Sequence, residues 1–166
     1  IFSEFKKAKS FKSIYLYNRG LYNNCSHFIN ILSQFIKTPK KIEVLNKSKN
    51  WNKDIQPNVK MKYENGEVYL INAGIKNLGH NQFFLFIENK KIISNHAFGD
   101  LEIYNFSKEN YRFSKKIKMN HKFTQKITLN TIVEYLQTNK EINNLLSSYL
   151  KTMSILDKIK KLNNNI

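Results

Sequence analysis

Residues 79–106 read GHNQFFLFIENKKIISNHAFGDLEIYNF, and the period of that stretch is two. Gln82–Ile87 and Lys91–Asn95 are aromatic and β-branched runs on either side of Glu88–Lys90, the pattern of two antiparallel strands across a tight turn. Leu101–Phe106 continues the meander after Phe98-Gly99-Asp100. With Glu88-Asn89 as the loop, Ile87 pairs with Lys90 and His80 falls opposite Ala97. Asn95 is then a diagonal neighbour of His80 on the same face. An antiparallel sheet is expected at the heart of the chain.

Working toward the N-terminus, Asn65-Gly66 is a turn signal between Met61–Tyr63 and Val68–Asn72. Residues 40–60 are polar and irregular, with Trp51 and Pro57, and read as a connecting excursion. Before them, LYNNCSHFINILSQFI (21–36) places Phe28, Ile29, Leu32, Phe35 and Ile36 on one helical face with Cys25. The spacing predicts a helix over 24–37, with Asn23 and Asn24 as N-cap residues and Thr38-Pro39 as its stop. Residues 3–17 form a Lys-decorated amphipathic segment, with Phe5, Phe11, Ile14 and Leu16, that suits helix or strand.

Toward the C-terminus the pattern returns to helix. Thr128 opens Leu129–Gln137, and Asn139 caps a longer helix with Ile142, Leu145, Leu146, Tyr149, Leu150, Met153 and Leu156 on one stripe. Asn163-Asn164-Asn165 are expected to fray. Helix, antiparallel sheet and helices in that order give an α+β fold, a single domain over 1–166.

The formal charge is +16, carried almost wholly by Lys, with Arg19 and Arg112 the two arginines. Recognition of phosphates and bases leans on Arg forks, so a nucleic acid is the less favoured partner. The densest basic stretch, Tyr111–Lys126, holds Arg112, Lys115, Lys116, Lys118, Lys122 and Lys126 with no acid. It is expected to be a solvated face that can lie on an anionic membrane surface. A single cysteine excludes an internal disulfide, and no apolar run reaches the length of a membrane span. The chain begins at Ile1 rather than Met, which suggests excision from something longer.

A thiol in the first turn of a helix feels the positive end of the backbone dipole, which favours thiolate. Nucleophilic thiol chemistry then needs a base in reach of sulfur and a group that orients the base. His27 shares the helix with Cys25 and points away from it, and His121 sits in the Lys-rich stretch. His80, preceded by Leu78-Gly79 and opening the strand FFLFI, is the best base, with Asn95 to orient its ring. Asn18, Asn23 or Asn24, with the Cys25 backbone N–H, are the candidate oxyanion donors.

A Cys at a helix start, a His opening a sheet strand and an Asn some fifteen residues on resemble the papain-like cysteine peptidases. The stretch 79–106 is most similar to the YopT-type bacterial effector proteases, whose strand after the histidine ends in a motif of the type Asp-Pro-Asn-Phe-Gly-Glu-Phe. Asn95-His96-Ala97-Phe98-Gly99-Asp100-Leu101 keeps its Phe-Gly-acid core. Bacteriocin-processing peptidase domains are similar in the same region. The resemblance covers roughly Asn23–Ile36 and Gly79–Phe106. It implies a papain-like domain in which Cys25 attacks an amide carbonyl, His80 moves the proton and Asn95 orients the ring. It also implies no cofactor or metal and a host protein as substrate. The chain would be the effector domain of a secreted or translocated toxin working in a reducing cytosol. The same site could serve deamidation or acyl transfer. The alternatives from other classes are a basic RNA-binding or RNA-cleaving module, with His80 or His96 acting with Lys on phosphate, and an inert binding module.

Overall fold

The computed structural model describes residues 8–46, 48, 54–74, 81–94, 99–107, 110–118, 133 and 142–164. Its strands are β1 (Phe11–Tyr17), β2 (Lys41–Val44), β3 (Val59–Lys62), β4 (Gly66–Asn72), β5 (Asn81–Ile87), β6 (Lys90–Ser94), β7 (Leu101–Ser107) and β8 (Asn110–Ile117). Its helices are α1 (Ser26–Phe35) and α2 (Ile142–Asn164). The strands form one eight-stranded sheet in the order β2-β3-β4-β1-β5-β6-β7-β8. Among the described residues β1 and β4 are the one parallel pair, and every other neighbour is antiparallel.

The meander read from residues 79–106 forms as β5, β6 and β7, and Ile87 does pair with Lys90. The expected turn at Asn65-Gly66 also joins two paired strands, but its glycine is needed for a different reason. A Cβ on Gly66 would overlap the Phe11 ring and carbonyl oxygen, so Gly66 lets β1 lie against β4.

The papain-like arrangement does not form. Of the two readings of residues 3–17, helix or strand, residues 11–17 take the strand. They are the centre of the sheet, with β4 on one side and β5 on the other. Phe11, Ser13, Tyr15 and Tyr17 are buried on one face, while Ile14 and Leu16 put apolar side chains on the other. Apolar residues on both faces blur the period-two signal. The excursion at 40–60 holds β2 and the start of β3. The Lys-rich stretch supplies β8, an exposed edge strand whose Arg112, Lys115 and Lys116 discourage further pairing.

Helix α1 packs on the Tyr15 face. Phe28 stacks on Tyr15 with ring centroids 4.3 Å apart and meets Phe83 at 6.3 Å. Ile29 and Leu32 complete its buried stripe. Helix α2 packs on α1 and β2; of the expected stripe Leu156 is buried and Met153 packs against the core, but the rest of the buried face is different. Ser148, Thr152, Ile155, Leu156, Ile159 and Asn163 are buried, while Leu146, Tyr149 and Leu150 are exposed. The polar members are satisfied: the Ser148 and Thr152 hydroxyls donate to Asn30 Oδ1 at 2.8 and 3.4 Å. Asn163 does not fray, because its side-chain oxygen accepts the Ser48 N–H at 3.2 Å. Of the helix expected over 129–137 only Val133 is among the described residues, and it is helical and exposed.

Candidate functional site

The chain leaves β1 by a strained path. Arg19 and Gly20 both take positive φ, 60° and 94°. Leu21–Cys25 then form a single π-helical turn before α1 begins. Left-handed backbone and π turns both cost stability and recur at functional sites. What holds this one is Asp54, from the segment before β3. Its Oδ2 accepts the N–H of Tyr22 at 2.9 Å and of Asn23 at 3.1 Å. Its Oδ1 accepts the N–H of Ile55 at 2.8 Å. Leu21 N–H donates to the Ile55 carbonyl at 2.8 Å, and Gly20 N–H to Gln56 Oε1 at 3.3 Å. A Cβ on Gly20 would overlap the Asp54 carboxylate, so the close approach needs glycine twice over.

Asp54 therefore does the work assigned to Asn23 and Asn24. Neither asparagine caps the helix with its side chain. Asn24 instead donates to the Asn18 carbonyl, and the Asn23 carbonyl accepts from Ser26 Oγ at 3.3 Å. On the far side Tyr22 ties the turn to α2, its hydroxyl donating to Asp157 Oδ1 at 2.7 Å beneath the Lys160 ammonium.

Cys25 ends this turn and faces the core, with 0% of its surface exposed. Burial pushes its thiol well above the ordinary range, and the nearby Asp54 carboxylate pushes it further. The dipole argument for an activated thiolate fails here because desolvation and a facing carboxylate outweigh it. His80 and Asn95, the proposed base and orienting residue, lie outside the described residues, as do His96 and His121.

The turn places other polar groups at the surface. Asn23 and His27, one turn apart, are both exposed. His27 is the one histidine among the described residues. At the same end of the sheet Asn81 opens β5, opposite Tyr17. Among the described residues its buried Oδ1 has no hydrogen-bond partner. Sequence reasoning discarded His27 because it was weighed only as a partner for Cys25. The available signal was Asn23-x-x-x-His27, two polar residues one turn apart where a helix begins. Among the described residues no group of three or more His, Cys, Asp or Glu is placed to hold a metal, and no helix is long and apolar enough to cross a membrane.

No protein-family model and no curated protein matches this sequence. Solved structures do match. A dehydrogenase (MviM) from Clostridium difficile is similar with a TM-score of 0.68 at 15% identity, over 96% of this chain and 57% of that one. Levoglucosan dehydrogenase, solved with NADH and L-sorbose, is similar with a TM-score of 0.68 at 10% identity, over 99% and 60%. UDP-N-acetylglucosamine 3-dehydrogenase from Acidithiobacillus ferrooxidans gives 0.65 at 6% identity, over 93% and 53%. The chain thus spans somewhat more than half the length of the solved chains it matches. The likeness is to the fold of oxidoreductases. It overturns the papain-like resemblance, and with it the readings of the chain as a cysteine hydrolase and a toxin.

A nicotinamide dinucleotide does not fit the described residues. Its usual cradle is a run of parallel strands with a G-x-G-x-x-G turn whose helix N-terminus receives the pyrophosphate. Here there is one parallel pair, and the five glycines never take that spacing. The N–H groups opening the helix after β1 are already taken by the Asp54 carboxylate, which would repel a phosphate.

Proposed function

We propose that this chain is the substrate-facing sheet unit of an oxidoreductase acting on a hydroxyl or carbonyl compound. His27 is the group that exchanges the substrate proton, and Asn23 is its neighbour in binding. The fold likeness to dehydrogenases supports the reaction class. The observation that carries the assignment is the strained β1–α1 junction, held by Asp54, which presents Asn23 and His27 to solvent. Interconverting an alcohol and a carbonyl requires a proton to leave or reach the oxygen. An imidazole, which can both accept and donate a proton, is the side chain best suited to that transfer. Asn23 offers an amide group for a neighbouring hydroxyl. Residues outside this sheet would have to hold the hydride carrier.

The experiment is calorimetric titration of the chain with polyols, ketoses such as L-sorbose and nucleotide sugars. At least one class should bind, and His27→Ala should weaken binding about tenfold, the worth of one hydrogen bond to a buried substrate group. Binding that His27→Ala and Asn23→Ala both leave unchanged, or none to any of these classes, contradicts the reading.

A further inference from the structure

The last two strands of the sheet run out beyond its core. Asn105–Ser107 of β7 and Asn110–Lys116 of β8 are all exposed, and since neighbours in a strand point to opposite faces, this end of the hairpin is bare on both. Four aromatic rings share one of those faces, because Tyr104 pairs with Phe113 and Phe106 with Tyr111. Phe106, Tyr111 and Phe113 expose 41, 43 and 59% of their surface. Tyr104 packs on Phe113 with ring centroids 5.6 Å apart, and Phe106 on Tyr111 at 5.0 Å, so the rings make one apolar patch. Arg112, Lys115, Lys116 and Lys118 are exposed around it, and Lys91 of β6 lies 4.9 Å from the centroids of both Tyr104 and Tyr111. Among the described residues of 99–118 the acids are Asp100, 3.2 Å from Lys116, and Glu102, which accepts the Tyr104 hydroxyl. In the sequence between the strands Lys108 and Glu109 cancel.

We infer that this arm is a docking site for an anionic lipid surface. Three kinds of partner suit exposed rings set among cations, and the observations favour one. A further strand is opposed by the like charges along β8 and by the register shift at Ile103/Tyr104, a bulge of the sort that protects sheet edges. Nucleic-acid bases need open ring faces for stacking, but Lys91 sits over Tyr104 and Tyr111, and the rings lean on one another. A bilayer interface needs no ring face and no strand register. Phe and Tyr settle at the level of the headgroups, while Lys and Arg lay their stems along the apolar surface and carry their charge to phosphate. Each cation close to an anionic leaflet strengthens binding about fivefold, so Arg112, Lys115 and Lys118 together favour it roughly a hundredfold over a neutral one.

The test is co-sedimentation of the full chain with vesicles of phosphatidylcholine alone, or of phosphatidylcholine with about one third phosphatidylserine. The chain should bind the anionic vesicles at least about tenfold more tightly than the neutral ones, and raised salt should weaken that binding. Lys115→Glu with Lys118→Glu should abolish it. Phe113→Ser, whose parent ring is exposed, should weaken it about fivefold with unchanged circular dichroism. Lys151→Glu with Lys158→Glu, exposed on α2, makes the same change in net charge and should leave binding within about twofold. A loss there as large as in the hairpin variant would make the attraction one of overall charge and overturn the inference. Equal binding to both vesicles, or binding to neither, also overturns it. So does single-stranded RNA held more tightly than the anionic vesicles and released by Phe113→Ser, which would assign the arm to nucleic acid.

Discussion

A lone cysteine at a helix start invited a reading as a nucleophile, and its environment decides otherwise. Cys25 is enclosed by the core and faces the Asp54 carboxylate, so its thiol stays protonated at neutral pH. Native protein should react with iodoacetamide at pH 7.5 more than tenfold slower than a free thiol, and at the ordinary rate in denaturant. Fast labelling of the native chain would refute the burial. Asp54 matters more than Cys25, because its carboxylate holds the π turn through two backbone N–H groups. Asp54→Ala should cost about 2 kcal/mol, while Asp54→Asn, which keeps an acceptor, should cost about half that in a denaturant midpoint. None of this was legible in the sequence. Asp54 lies some thirty positions from the amides it caps, in a segment that reads only as irregular.

At the scale of elements, legibility followed exposure. β5 and β6 carry apolar residues on both faces, but they are short runs on either side of one turn, and their register could be derived from it. β1 was ambiguous because both of its faces are apolar, and β8 was invisible because almost nothing on it is buried. The stripe on α2 misled because its docking face includes Ser148 and Thr152, which reach Asn30 and look polar in a sequence. The packing of α1 is directly testable: Phe28→Ala, which empties the stack on Tyr15, should destabilise by about 3–5 kcal/mol. The buried hydroxyls of this core set its response to alkali. Tyr15, Tyr17 and Tyr63 are all pushed above the ordinary phenol value, with burial the largest cause, as Cys25 is pushed above the thiol value. Above about pH 8.5 the unfolded chain releases these protons and the native chain keeps them, so the unfolded state binds fewer. Stability should then fall as pH rises through about 8.5–11, and melting temperatures measured over that range should show it. Cys25→Ala should remove the earliest part of the decline, which starts nearest the ordinary thiol value.

For the whole molecule, the sheet's two faces have separate tasks. One carries the helices and the core, and the other carries half-buried Ile14, Leu16, Phe84 and Phe86. The end proposed to meet substrate lies where β1 runs into α1. The strand alternation read from residues 79–106 was sound. The function built on it was not, since a short motif match stood in for a topology that only long-range pairing of β1 with β4 and β5 decides. The absence of a glycine-rich cradle leads to a further expectation: titrating the chain alone with NADH should give no change in cofactor fluorescence, and a saturable enhancement would contradict it. The claim on which the account depends is that His27 meets the substrate. Its most direct measurement is the imidazole NMR spectrum of the chain during titration with whichever hydroxyl or carbonyl compound binds. The account predicts that the His27 ring signals move first and furthest among the four histidines, with the Asn23 amide following. Movement confined to His80, His96 or His121, with His27 still, would contradict it.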